Sequence, residues 1–514
     1  MLKNINYFYI FILFLISFIV NLHYGSIGVF PIDSFAFFDS SYSINNGFLP
    51  IRDYWTSNGL LVDLLQSVFF RVFSVNWYVY LIHSSLVNFF LVFLTYRFLK
   101  NQGLSYNLSF FYSCSVGILA YPSVGVPFPD HHSLIFSILA VYSLIFSLQK
   151  KSNLYLFITV LLLFFAFLSK QIPAAFFIIL ISSYIIYFSV KTKTYSLIYN
   201  SIIFSAILII IFLIFLQISK ISIEAFYIQY IDYPLSIGAS RSGGLEFQKL
   251  LKSLLNEFKF FFFIILIMIY QSFKLKKGNG SFDGYYLNIL FILLIFVSLI
   301  NQELMRNQNI VFFILPILLG VIHSNLNIKK NRISLFLLFS IITLNIFITL
   351  KYHERFNIDR KFMELEQINK NKTYDASRIS KNLKGLKWVT SVGQTQVANE
   401  VDLLKETIKY LKANKNNSMI LTEYQFIISE INHQIYSPNR WYTADGVSYP
   451  LEDNKYYQFY INFFKDQLKK KNIEKIYTIL PLNKESFEFV FDKECIKTRK
   501  INQLLSENLL TNCF

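Results

Sequence analysis

The stretch Ile207–Leu216, ILIIIFLIFL, has no polar side. A helix that is apolar all round needs the centre of a large core or a lipid surrounding. This chain repeats the pattern from residue 7 to residue 350, in segments near the 17–25 residues that cross a bilayer. They fall at 7–24, 77–96, 104–120, 132–149, 153–169, 172–190, 199–218, 257–273, 285–302, 309–325 and 333–350. A soluble chain of 514 residues could not bury so many helices without a polar face. The expectation is an all-α polytopic bundle of about eleven transmembrane helices. Only 15% of the residues are charged, against about a quarter in a globular domain. The first segment follows Lys3 without a small-x-small cleavage pattern, so it reads as a retained span. Residues 59–75 carry Asp63, Gln66 and Arg71 and read as an amphipathic helix against the bundle.

The charges between the segments orient them. A formal charge of +17 on a soluble protein would suggest nucleic acid. Here no basic patch is interleaved with aromatics in the manner of a nucleic-acid groove. With the N-terminus inside, the inner connections hold Arg97 and Lys100, Lys150 and Lys151, and Lys191 and Lys193. The next two hold Lys274, Lys276 and Lys277, then Lys329, Lys330 and Arg332. The short outer connections 121–131, 170–171 and 303–308 hold one basic residue at most. This positive-inside pattern predicts a cytoplasmic N-terminus, a cell inner-membrane location and an extracytoplasmic tail from residue 351.

The tail, 351–514, has apolar runs of four to eight residues broken by charges. Glu400–Asn414 places Val401, Leu404, Ile408 and Leu411 on one helical face, and Lys455–Lys471 reads as a second helix. Ser418–Leu421 and Ile473–Leu480 read as strands, which predicts a soluble α/β domain. In an oxidising compartment Cys495 and Cys513 are a possible disulfide pair; Cys114 lies in a span.

The ionisable residues that interrupt the membrane part share one side. Asp33, Asp39, Arg52 and Asp53 lie in the first outer loop, 25–58. Asp130, His131 and His132 lie at the second, Lys170 at the third, Glu224, Asp232 and Arg241 in the fourth, and Glu303 and Arg306 in the fifth. Charges near membrane depth are costly and default to functional hypotheses. Acids and bases gathered on one rim suggest an outward-facing site with anion-binding groups. No phosphate-cradling loop, dinucleotide fingerprint or nucleophile elbow is present in the sequence.

Within the first loop, Asp39, Tyr42, Gly47, Pro50, Asp53 and Gly59-Leu60 follow one another in an order and spacing that resembles the GT-C membrane glycosyltransferases. The nearest groups by pattern are the protein mannosyltransferase-like, aminoarabinose transferase-like and rhizobial lipopolysaccharide glycosyltransferase-like enzymes. Leu168–Pro173 resembles their basic residue on a short outer turn, and Arg306–Pro316 their arginine opening a late span. Two positions depart: Ser40 stands where a second acid is frequent, and Leu60 where a proline is usual. The resemblance covers 7–350 and implies a GT-C-like catalytic domain at 1–350.

It also implies transfer of a sugar from a polyprenyl-phosphate carrier to an envelope glycan, lipid or protein. A carboxylate would take the acceptor proton, with Asp39 the first candidate and Asp33 the second. Lys170, Arg306 and Arg241 would bind the donor phosphate. Tyr42, Arg52, Asp53, Asp130, His131, His132 and Glu303 would line the cleft. Asp130, His131 and His132 also form a candidate divalent-metal set, needing further ligands from Asp39, Asp53 or Glu303. No other cofactor is implied. Three rival readings stand beside this one. The first is a polymerase or ligase using pyrophosphate-linked oligosaccharides. The second is a lipid or polysaccharide transporter. The third is a scaffold whose tail binds glycans through Ser437–Gly446.

Overall fold

In the computed structural model the described residues are 2–120, 124–242, 247–275, 284–305, 310–326, 332–391, 397–443, 446–491, 493–511 and 513. The long apolar segments are helices: α1 (Leu2–Gly25), α5 (Trp77–Asn101), α6 (Tyr106–Leu119), α7 (Pro129–Lys150), α8 (Asn153–Ser169), α9 (Gln171–Thr192) and α10 (Ser196–Ile218). They continue with α14 (Lys259–Lys274), α15 (Gly284–Met305), α16 (Ile314–Ser324) and α17 (Arg332–His353). Each of the segments read from the sequence therefore contains a helix. Seven of the described helices are long and apolar enough to cross a membrane, while 153–169 and 311–324 are shorter apolar helices. The chain is a multi-pass membrane protein, and the expected figure of eleven crossings is not reached on length and composition.

Exposure follows the lipid logic. α10 buries only Leu208 and Leu216, and Ile209, Ile210 and Ile211 are more than half open, as suits a helix with one side on α8 and the rest towards lipid. α7 is nearly all buried and packs closely against α8. Its serines are buried and bonded: Ser137 donates to the Ser133 carbonyl within the helix at 2.7 Å, while Ser143 donates to the Tyr155 carbonyl of α8 at 2.7 Å.

Between α1 and α5 the chain forms three short helices, α2 (Pro31–Ser34), α3 (Phe38–Asn45) and α4 (Leu60–Phe73). Smaller helices α11 (Ile223–Phe226), α12 (Tyr233–Ser242) and α13 (Phe247–Asn256) lie between α10 and α14. After α17 come the strand pair β1 (Tyr374–Asp375) and β2 (Lys387–Trp388), helix α18 (Val397–Ala413), β3 (Ser418–Leu421) and β4 (Ile435–Tyr436). Helix α19 (Tyr457–Lys470), β5 (Lys475–Ile479), β6 (Ile496–Lys500) and β7 (Leu505–Leu510) complete it. The sheet order is β4-β3-β5-β7-β6, with β4, β3 and β5 parallel and β7 and β6 antiparallel. A disulfide joins Cys495 to Cys513 across the outer edge of this sheet.

The sheet region is not tethered loosely. Residues 26–29, just after α1, pair with 387–389: Lys387 N donates to Ser26 O at 2.8 Å and Val29 N to Val389 O at 2.8 Å. One apolar cluster runs through both parts, joining Phe35, Phe38, Trp77 and Tyr80 to Trp388, Leu404, Phe426 and Ile427. The Phe35 ring lies 4.7 Å from Phe426 and 5.8 Å from Trp388. Fully buried aromatics contribute about 1.5–3 kcal/mol each, so this seam fixes the sheet against the rim of the bundle.

Candidate functional site

The first outer loop turns on Gly59, which opens α4 with φ +71°. A Cβ there would meet the Phe37 ring at 2.5 Å and Arg440 Nη1 at 2.9 Å, so glycine is required for space as well as backbone angle. One turn into α4, Asp63 is fully buried. Its Oδ2 receives Arg440 Nη2 at 2.5 Å and Nε at 3.1 Å, and its Oδ1 receives the Ser40 hydroxyl at 2.5 Å. Arg440 comes from the turn after β4, is 1% exposed, also bonds the Asn58 carbonyl, and lies 4.7 Å from the Phe37 ring. Burial raises the Asp63 carboxyl, and the Arg440 charge opposes that. The pair holds the sheet region, the loop and α4 together.

Asp39, the first candidate base from the sequence, belongs to the same seam. It is 1% exposed, and both its oxygens are taken by backbone amides: Oδ2 by Ile428 N and Oδ1 by Ser429 N, each at 2.9 Å. Its own N–H donates to the Gln425 carbonyl at 2.9 Å. Burial pushes its pKa up to about 8, with the two amides pulling the other way. The cavity beside it, lined by Ser40, Tyr54, Tyr436 and Arg440 among others, has about 20 Å³ of room. That is the space of roughly one water.

Of Arg52 and Asp53, expected in the cleft, Asp53 lines the small cavity beside Asp39, and both also brace the loop. Asp53 Oδ2 accepts from Leu49 N and Arg52 Nε, both at 2.8 Å. Arg52 also reaches the carbonyls of Gly47, at 2.6 Å, and Ser219, at 3.0 Å. Lys471 stands 3.9 Å from Asp53, and its burial lowers its pKa to about 8. Tyr42 packs against the apolar seam.

Asp33, in the first turn of α2, feels a different set of charges. Lys170 ends α8 and Asp130 opens α7 behind Pro129, the helix ends at which a cation and an anion are favoured. They meet directly: Lys170 Nζ lies 2.7 and 2.8 Å from the two Asp130 oxygens, with both side chains mostly buried. The Ser133 hydroxyl donates to the Lys170 carbonyl at 3.0 Å, which fixes the turn. Asp33 feels this pair and also Glu423, which follows β3. Burial raises its pKa to about 7, Asp130 raises it further, Lys170 lowers it and Glu423 raises it. Among the described residues no hydrogen bond engages the Asp33 carboxylate. The field at Asp33 therefore draws on the Lys170–Asp130 pair of the bundle and on Glu423 of the sheet region.

The histidines point elsewhere. His131 Nε2 faces the Ala120 carbonyl, and His132 sits with Nδ1 2.9 Å from the Phe128 carbonyl. His132 Nε2 is 3.2 Å from His83 Nε2, and His83 Nδ1 is 2.9 Å from Gln66 Oε1. Among the described residues no three His, Cys, Asp or Glu side chains converge as metal ligands, so Asp130, His131 and His132 do not assemble as the metal set expected from their adjacency. Glu303 is half-buried on α15 and makes no bond to the Asp33 corner among the described residues. Arg241 lies on α12, and its side chain is outside the described residues, as are Arg306 and Asp445.

No protein-family model matches the chain, and no characterised protein matches it in sequence. Among solved structures it is similar to the archaeal oligosaccharyltransferase AglB from Archaeoglobus fulgidus in complex with an inhibitory peptide and a dolichol-phosphate. The similarity spans 92% of this chain and 69% of that one, at 10% identity and a TM-score of 0.43.

Asp63, Arg440, Glu423 and His83 were not among the residues singled out for chemistry. A signal existed for two of them. Asp63 is an acid in a mostly apolar helix, and Arg440 is flanked by Pro438, Asn439 and Trp441 within Ser437–Gly446, the segment weighed for glycan contacts.

Proposed function

We propose that the chain is a GT-C-type glycosyltransferase that moves a sugar from a polyprenyl-phosphate carrier to an acceptor hydroxyl at the rim facing the C-terminal sheet, the extracytoplasmic side. What supports this reading is the direct Lys170–Asp130 pair, with Asp33 in its field, raised to about 7 by burial and accepting no hydrogen bond among the described residues. In this reading Asp33, rather than Asp39, is the general base. The acceptor oxygen attacks the anomeric carbon and its proton passes to Asp33. The bond from that carbon to the phosphate oxygen breaks, and its electron pair stays on the phosphate. A single displacement of this kind inverts the anomeric centre. Charge grows on the phosphate as the bond breaks, and in this reading Lys170 would turn from Asp130 to stabilise it. A base with a pKa near 7 is matched to proton transfer at neutral pH.

Sugar transfer by purified full-length protein in lipid, from radiolabelled undecaprenyl-phosphate sugars, tests the reading. Label reaching an acceptor with the unmodified protein, and not with Asp33→Asn, supports it. Well-folded protein that transfers only from pyrophosphate-linked oligosaccharides would replace it with the polymerase or ligase reading. Full activity of Asp33→Asn would remove Asp33 from the mechanism.

A further inference from the structure

A second basic feature lies away from the Asp33 corner and shares no residue with it. At the sheet-side end of α1, the side chains of His23, Tyr24, Asn357, Arg360, Lys370 and Lys387 line a cleft of about 440 Å³. Three cations line it and no acid does. Arg360 is 1% exposed and brings its charge to the wall, held by the Tyr24 carbonyl at 2.5 Å and the Met363 sulfur at 2.6 Å. Lys370 is half-buried and donates to the Ile358 carbonyl. The Lys387 side chain is exposed, while its backbone is fixed by pairing with Ser26 and Gly28. Two acids, Asp359 and Glu366, act on Lys370 from outside the lining. Asp375, opposite Lys387 in the strand pair, is turned to cap Ser377 N at 2.9 Å.

Directly continuous with this cleft is a groove of about 400 Å³ lined by Ile19, Val20, Ile118, Thr349, Leu350 and His353. The two share His23 and Tyr24. The groove runs along α1 and α17, both apolar enough to span a membrane, and Ile19 and Leu350 are 62% and 64% exposed beside it. A cationic cleft at a helix end above an apolar membrane-facing groove has the two halves of an amphiphile's shape. A free phosphate would use only the upper half, and an acidic peptide would leave the lower half empty.

We infer that this site binds an anionic, phosphate-bearing lipid of the adjoining leaflet, its head group at Lys370 and Lys387 above the buried charge of Arg360 and a chain along α1 and α17. The inference stands on residues outside the proposed transfer site, so either can fail while the other holds. Native mass spectrometry of the full-length protein in detergent tests it, with an equimolar mixture of phosphatidylglycerol and phosphatidylcholine. The unmodified protein should retain one phosphatidylglycerol in preference. Lys370→Ala with Lys387→Ala should weaken that retention on the order of thirtyfold, about fivefold for each basic side chain near a membrane surface. Leu350→Trp, which fills the groove and leaves the cations in place, should weaken it as well. Lys381→Ala with Lys384→Ala, exposed lysines outside the cleft, should leave it unchanged. Equal retention of the two lipids, or unaltered retention in the Lys370/Lys387 variant, overturns the inference. So does full displacement of the lipid by millimolar glycerol 3-phosphate, which would make the site one for a soluble phosphate.

Discussion

Asp33 and Asp39 sit at the two ends of one short stretch of the first outer loop, and burial lifts both of them, to about 7 and about 8. Their surroundings differ in kind. Asp39 faces the sheet region and spends both oxygens on the amides of Ile428 and Ser429. Asp33 feels the charge pair at the ends of α7 and α8 and accepts no hydrogen bond among the described residues. A raised carboxyl is thus no guide to role by itself. The amide-locked acid belongs to the joint between two parts of the molecule, and the unlocked one has a lone pair to offer a substrate.

The sharpest way to break this contrast is to neutralise each acid in turn. Asp33→Asn should lower transfer about 10²–10⁴-fold, the usual worth of a positioned base, with no loss of melting temperature. Equal activity losses in Asp33→Asn and in a well-folded Asp39→Asn would erase the distinction. The pH profile gives a second handle. Asp33 must be ionised to accept a proton, so kcat/KM should climb as pH rises towards about 7 and then level off. A profile flat between pH 5 and 8 contradicts the assignment. Stability runs the opposite way. A carboxyl raised in the folded state contributes stability that is full below its ordinary value of 3.8 and is lost as pH rises through about 7. Asp33→Asn should therefore melt no lower than the unmodified protein above pH 7.

The joint itself should show a large structural effect and no separate catalytic one. Arg440→Met leaves Asp63 buried without its cation and should cost about 3–5 kcal/mol, read as a lowered unfolding midpoint in detergent. Pairing it with Asp63→Leu should return much of that loss, because removing both charges also removes the burial penalty. A double variant as unstable as the single one would show that packing, and not the unpaired charge, sets the cost.

The bundle was legible because apolar length is a local property. Segment 153–169 coincides with α8, and 199–218 differs from α10 by a few residues at one end. The crowding of Asp33, Asp130 and Lys170 towards one rim was legible for the same reason, since loop alternation assigns a side to each. What the sequence did not disclose was which acids are consumed by the fold. Asp39 meets its amide donors across 389 and 390 positions, and Asp63 meets Arg440 across 377. Nothing periodic marks either partner. The spacing match that favoured Asp39 reflects its place in the loop, and its role depends on a sheet built from the other end of the chain. Adjacency in sequence is likewise not convergence in space at Asp130, His131 and His132, which were weighed as a candidate metal set needing further ligands. On a helix, consecutive side chains point about 100° apart, so the three part company towards Lys170, Ala120 and His83.

Two smaller effects grade the joint more finely. Asp39→Asn keeps one acceptor but turns an NH₂ towards one of the two amides, which leaves a buried donor facing a donor. The expected cost is about 1–3 kcal/mol, and transfer per folded molecule should stay near normal.

Tyr54→Phe should be the mildest. Its hydroxyl is a long 3.3 Å from Asp63 Oδ2, and that carboxylate retains Ser40 and two bonds from Arg440 once the phenol is gone. The aromatic ring stays to fill its buried place, so no cavity opens. The loss should be at most about 0.5–1.5 kcal/mol, a small shift of the same unfolding midpoint. A drop as large as that of Arg440→Met would mean that the Asp63 cluster behaves as one cooperative network in which any missing donor frees the whole. In that case the Arg440 pair would lose its special standing in holding the sheet to the bundle.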